Sequence, residues 1–224
     1  TAGADYLYGG AGNDVVFGGA GNDTLSDSGA GSNTLDGGAG NDRLYVSGNG
    51  ASDVNVLTGG PGSDTYELSG SNVAALKSTD FSPGVGGDVI DVYSLLYTSV
   101  GYDTGNPFQS PLSYLRLVQS GADTLLQWDR DGGADTGYGW KTAITLQNVA
   151  ATALNSANFY PANVPTIGPM ANDAQAVTPE DTAISGKLVA SASNAGVLSF
   201  TRATGPAHGT LRITADGSYT YTPA

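Results

Sequence analysis

A nine-residue unit returns through the first 67 residues, and few folds accept a chain so regularly punctuated by glycine. It reads Gly9-Gly10-Ala11-Gly12-Asn13-Asp14-Val15-Val16-Phe17, then Gly18-Gly19-Ala20-Gly21-Asn22-Asp23-Thr24-Leu25-Ser26. It returns as Gly37-Gly38-Ala39-Gly40-Asn41-Asp42-Arg43-Leu44-Tyr45 and Gly59-Gly60-Pro61-Gly62-Ser63-Asp64-Thr65-Tyr66-Glu67. Two degenerate copies, opening at Ser28 and Gly50, carry Asn33 and Asn55 where the others carry Asp, and follow insertions at Asp27 and at Val46 to Asn49. A shorter first copy runs from Thr1 to Tyr8 and supplies Asp5.

Each position has a physical use. Glycines at the first, second and fourth places (the last two being Gly10, Gly12, Gly19, Gly21, Gly38, Gly40, Gly60 and Gly62) let the backbone turn through positive φ and bring carbonyl oxygens together. The Asp at the sixth place sets a short carboxylate beside them, and a hard cation such as Ca²⁺ takes six to eight oxygens of this kind. The last three residues make a minimal strand whose central side chain faces inward, because successive strand residues point to opposite faces. Leu7, Val16, Leu25, Leu35, Leu44, Leu57 and Tyr66 are the expected inward row. A flexible Gly/Asn/Asp spacer has a similar composition, but not a fixed period with an apolar residue at each eighth place.

This G-G-x-G-x-D-x-U-x pattern resembles the calcium-binding nonapeptide of RTX proteins, which wind into a parallel β-roll. The resemblance implies that successive units lie on opposite edges, with each ion between a unit and the next but one. Asp5, Asp23, Asp42 and Asp64 then line one edge, and Asp14, Asn33 and Asn55 the other. A neutral amide is a weaker ligand than a carboxylate, so one well-filled edge and one poor edge are expected.

Charge supports the metal reading. The chain has 224 residues and a formal net charge of -13, and its acidic residues are 19 Asp against only Glu67 and Glu180. Such a balance excludes nucleic acid as a natural partner, which needs a basic patch. It also makes the Asp rows repel one another without a cation, so metal binding should be coupled to folding. Cysteine is absent, so no disulfide framework exists. No apolar run reaches the roughly eighteen residues of a membrane-spanning helix.

From residue 68 to 160 glycine falls and longer strands are expected at 114–119, 124–128 and 143–149, the first two joined by a hairpin turn at Ser120 to Asp123. The stretch Asp80-Phe81-Ser82-Pro83-Gly84-Val85-Gly86-Gly87-Asp88-Val89-Ile90-Asp91 is similar to the element behind β-rolls in type I secretion target domains. That similarity implies export by type I secretion. Asp80, Asp88 and Asp91 fit an ion closing the roll, although Asp91 also suits a helix cap before Val92 to Leu96. Asp129, Asp131 and Asp135 fit either a D-x-D-G calcium loop or a solvated turn.

From Pro161 the segments Thr178-Pro179-Glu180-Asp181-Thr182, Gly205-Pro206-Ala207-His208-Gly209 and Asp216-Gly217-Ser218-Tyr219 resemble bacterial cadherin-like, Ig-like repeats. The 64 residues after Tyr160 fall short of the about one hundred of a full sandwich, so a partial module is expected, as a fragment or as one completed by strand addition. The expected architecture is therefore all-β: a roll over 1–67, a β-rich flank over 68–160 and an incomplete Ig-like sandwich over 161–224.

No catalytic constellation is expected. His208 is the single histidine and there is no cysteine, G-x-S-x-G elbow or two-histidine zinc motif. Trp128 and Trp140 suit strand packing or a sugar platform. These resemblances imply a calcium-stabilised module of a secreted, cell-surface bacterial protein, whose partners are calcium and either copies of itself or a surface ligand. The alternatives are a secretion appendage of an exoenzyme and a strand-exchanging filament subunit.

Overall fold

In the computed structural model the residues described are 2–47, 53–69, 75–109, 113–133, 137–163, 170–171, 177–188, 190–191, 200, 202 and 204–224. The glycine-punctuated repeat alternates a turn with a strand. It gives β1 (Tyr6–Tyr8), β2 (Val15–Ala20), β3 (Thr24–Asp27), β4 (Thr34–Ala39), β5 (Arg43–Val46), β6 (Val54–Thr58) and β7 (Thr65–Leu68). Odd strands pair in parallel in one sheet and even strands in the other. Neighbours in each sheet are thus two units apart, and successive turns fall on opposite edges, as the repeat implies.

Between the sheets lies the expected thin core. Leu25, Leu44 and Tyr66 stack in register in one sheet, and Leu35 and Leu57 in the other. All five are at most 1% exposed, and burying each contributes about 1.5–3 kcal/mol. Leu7 and Val16 are only half-buried, because β1 and β2 have a strand neighbour on one side only.

Strands β2 to β7 exceed the three residues expected. Asp27, Val46 and Leu68 pair in register as a second inward row, so the insertions begin by lengthening the odd strands. Val46 and Leu68 enlarge the core, while Asp27 puts a fully buried carboxylate beside it.

The flank continues the same sheets. β8 (Ala75–Ser78) pairs parallel with β6, and β9 (Val89–Asp91) with β7. A short helix α1 (Tyr93–Tyr97) follows, one residue later than expected, with Tyr93 N–H donating to Asp91 Oδ1. Next come β10 (Leu115–Ser120), β11 (Asp123–Trp128) and β12 (Lys141–Leu146), close to the three expected strands, then β13 (Phe159–Tyr160). β12 joins β8 and β13 joins β9, both in parallel. Trp128 is buried and its Nε1 donates to Ser99 Oγ, while Trp140 stacks under the Arg116 guanidinium. Both therefore pack within the flank.

Residues Thr1–Thr166 form one compact unit and Ile167–Ala224 another. No division falls at 67/68, because the flanking strands extend the roll's own sheets. The second unit contains β14 (Met170–Ala171) paired with β16 (Ala190–Ser191), and β15 (Ile184–Lys187), β17 (Thr210–Ile213) and β18 (Ser218–Thr222). These last three form an antiparallel sheet in the order β15-β18-β17.

Candidate metal centre

Along the odd edge the turns at 18–23, 37–42 and 59–64 stack on one another. Glycine is required where one turn approaches the next. Gly38 and Gly40 have φ of 96° and 141°, and a side chain on either would run into the carbonyl of Gly19 or Gly21. Gly19, Gly21, Gly60 and Gly62 also have positive φ, as do Gly10 and Gly12 on the even edge, whereas the opening glycines Gly9, Gly18, Gly37 and Gly59, expected to share it, do not and are glycine for want of room beside an Asp carboxylate.

The Asp row fits between these turns in a fixed pattern. Asp23 Oδ1 accepts the Asp5 N–H at 2.8 Å, Asp42 Oδ1 that of Asp23 at 2.7 Å, and Asp64 Oδ1 that of Asp42 at 2.8 Å. Asp88 Oδ1 then accepts from Asp64 at 2.9 Å, so the flanking turn extends the row by one member. The second oxygens behave differently: Asp23, Asp42 and Asp64 Oδ2 are buried without a hydrogen-bond partner. Each points toward the opening glycine of its own turn, and the Gly37 and Gly59 carbonyls crowd the same places beside Gly18 and Gly37.

A buried carboxylate oxygen with no donor is costly, and beside those of Asp23 and Asp42 stands a further oxygen, the carbonyl of the next turn. An oxygen-only donor set with unneutralised charge fits a hard cation such as Ca²⁺. When bound, the ion supplies the positive charge that these buried oxygens lack. Among the described residues no three acidic or histidine side chains gather as a ready cage, so backbone carbonyls must complete each position.

The even edge is built otherwise. Asp14 N–H donates to Asn33 Oδ1 and Asn33 N–H to Asn55 Oδ1, both at 2.9 Å, which keeps the pattern. Asp14 Oδ2 is a further buried, unpartnered oxygen, whereas Asn55 offers a buried, unpartnered Nδ2. Asn33 Nδ2 donates to Asp27 Oδ1 at 3.1 Å. An amide nitrogen is a donor and cannot ligate a cation.

Asp27 is the residue the sequence reading missed, having been taken as an insertion. Its Oδ2 accepts the Gly10 N–H at 2.9 Å and its Oδ1 the Gly29 N–H at 3.0 Å. On the odd edge the corresponding Gly38 N–H goes to the carbonyl of Gly59. Asp27 therefore puts a carboxylate where other turns put the opening carbonyl. The available signal was an acidic residue placed directly before a copy that lacks its opening glycine.

Asp80 and Asp88 sit in the 79–88 turn at the end of the odd edge. Asp129 and Asp131 lie together on the loop after β11, outside both turn rows. They are 1% and 8% exposed, and the Asp131 N–H donates to Asp129 Oδ1 at 3.3 Å. Burial and the Asp131 carboxyl raise the Asp129 pKa. Asp135 lies outside the described residues.

Burial pushes the carboxyls of Asp27, Asp42 and Asp88 above the ordinary range. It lifts Asp64 to about 6, with the charges of Asp88, Asp42 and Asp80 adding to the effect. A carboxyl whose folded pKa is raised destabilises the fold above that pKa, and the penalty is lost as pH falls through it. Without metal, the roll should gain stability as pH drops from about 7 through about 6 toward 3.8. With calcium the sign reverses, because protons then compete with the ions for the same oxygens. Across this window the β signal in chelator should rise as pH falls, while the melting temperature in calcium should fall.

Residues 1–25 and 27–50 match the model for the RTX calcium-binding nonapeptide repeat, in four copies. Residues 165–224 match the model for a bacterial Ig domain. No curated protein matches the chain. RTX repeats bind several calcium ions per array, and both families are generally structural or binding modules, typical of secreted or surface proteins. The chain thus carries an RTX calcium-binding β-roll in its first part and a bacterial Ig-like part at residues 165–224.

Proposed function

We propose that the chain is a non-enzymatic, calcium-stabilised structural module of a secreted bacterial cell-surface protein: an adhesin, a surface-layer component or an extracellular fibre. The row of buried carboxylate oxygens without partners carries this reading. Where calcium is scarce, inside the cell, the acidic turns repel and the roll stays unfolded for export. Outside, calcium neutralises the turns and the strands stack. Extracellular calcium modules are tuned to weak binding, with Kd on the order of 10⁻⁴–10⁻³ M. Repeats that stack only on their neighbours still convert weak sites into a cooperative transition.

Protease treatment of intact source cells tests the assignment. The chain is expected to be reachable from outside, resistant in millimolar calcium and rapidly cut in chelator. Recovery only from within the cells, or equal resistance in chelator, would contradict it. Light scattering of the purified chain in calcium separates a filament subunit, which grows with concentration, from a monomeric module.

A further inference from the structure

At its C-terminal end the odd edge runs out of repeats while Asp64 still presents a buried, unpartnered Oδ2 beside Gly59, whose N–H reaches into the next turn. That turn, residues 79–88, has no opening glycine carbonyl to meet it. Asp80 stands there instead. Its Oδ1 accepts the Gly59 N–H at 3.0 Å and its Oδ2 the Gly60 N–H at 2.8 Å. The Gly60 bond matches the one that the Gly10 N–H makes to Asp27 and the Gly38 N–H makes to the Gly59 carbonyl.

We infer that Asp80, from outside the repeats, joins Asp64 to form a terminal calcium position that fastens the flank to the roll. The inference rests on the proposed calcium-dependent role of the roll. Asp64 is 0% exposed, so bulk water does not reach its free oxygen, and a cation beside it would satisfy and neutralise the carboxylate at once. Gly59 has no side chain in the space beside it, which Asp64 Oδ2 borders; a Cβ there would come within 2.7 Å of Tyr66 Oη. Two carboxylates replace the carboxylate and carbonyl of an ordinary position, and greater ligand charge tightens calcium binding. The turn is held from the flank as well: Asp88 Oδ2 accepts the Ser82 N–H at 2.7 Å, and Asn158 Nδ2 donates to the Asp88 carbonyl at 2.8 Å. The terminal position is therefore the last to empty and the first to order.

Tyr66 provides a reporter. Its hydroxyl donates to Asp80 Oδ1 at 3.1 Å, so its ring lies close enough to excite a terbium ion seated in place of calcium. The full chain, Asp80→Asn and Tyr66→Phe are compared by calcium equilibrium dialysis and by terbium emission excited through tyrosine. Asp80→Asn is expected to bind one calcium fewer than wild type. Tyr66→Phe is expected to keep the calcium count and lose the larger part of the terbium emission. An unchanged count in folded Asp80→Asn overturns the inference alone, as does undiminished emission from Tyr66→Phe, which decides the matter should Asp80→Asn not fold. A wild type that binds no calcium overturns the proposed function as well.

Discussion

Stripped of calcium by a chelator at neutral pH, the chain is expected to lose strands β1 to β9 while the β15-β18-β17 sheet persists. Residues 1–91 hold eleven Asp and Glu67 against Arg43 and Lys77, a net of -10 (12 acidic less 2 basic). Arg43 is drawn outward to Glu67 and Asp91 and neutralises none of the row. The core between the sheets is little more than one leucine deep, so it has slight reserve against that repulsion. Parallel strands also pair only with strands two units away, which ties the loss of one turn to its neighbours. Far-UV circular dichroism should lose most of its β signal in chelator and recover it on adding calcium. Hydrogen exchange should locate the loss before residue 92 and leave β17 and β18 protected.

Replacing Asp42 by alanine is expected to cost the calcium-loaded protein about 3–4 kcal/mol, and replacing Asn33 only about 1–2. Asp42 joins two turns: Oδ1 holds the Asp23 N–H and Oδ2 is the free buried oxygen. An ion held at a hundred times its Kd contributes about 2.7 kcal/mol, and the lost hydrogen bond adds about 1. Asn33 loses only hydrogen bonds, to the Asp14 N–H and to Asp27. In chelator the order should vanish. There the roll has come apart, and neither turn remains to be weakened. Denaturant unfolding of both variants in calcium, beside their circular dichroism in chelator, checks the comparison. Equal costs in calcium would remove the distinction between the edges.

Much of this was legible because the repeat carries its geometry in its spacing. The alternation of units between edges, the inward Leu25, Leu35, Leu44, Leu57 and Tyr66, and the aligned Asp23, Asp42 and Asp64 all follow from a period of nine. Asp27 was not legible, since an insertion is naturally read as surplus loop. Only the strand register shows that it faces inward beside Val46 and Leu68. The joining of roll and flank was hidden for another reason. The pairing of β12 with β8 spans more than sixty residues, and no local pattern encodes which edge a distant strand will extend. Asp91 shows both halves at once: the cap position of α1 falls on Val92 rather than on Asp91, which accepts the Tyr93 N–H one residue earlier and closes a strand of the roll's own sheet.

Equilibrium dialysis of the native chain against calcium, with ions counted at saturation, addresses the central claim most directly. Asp14, Asp23, Asp42 and Asp64 each bury an oxygen that lacks a partner, so at least four ions per chain are expected, bound as the β signal appears. A fully folded roll that holds no calcium would contradict the account.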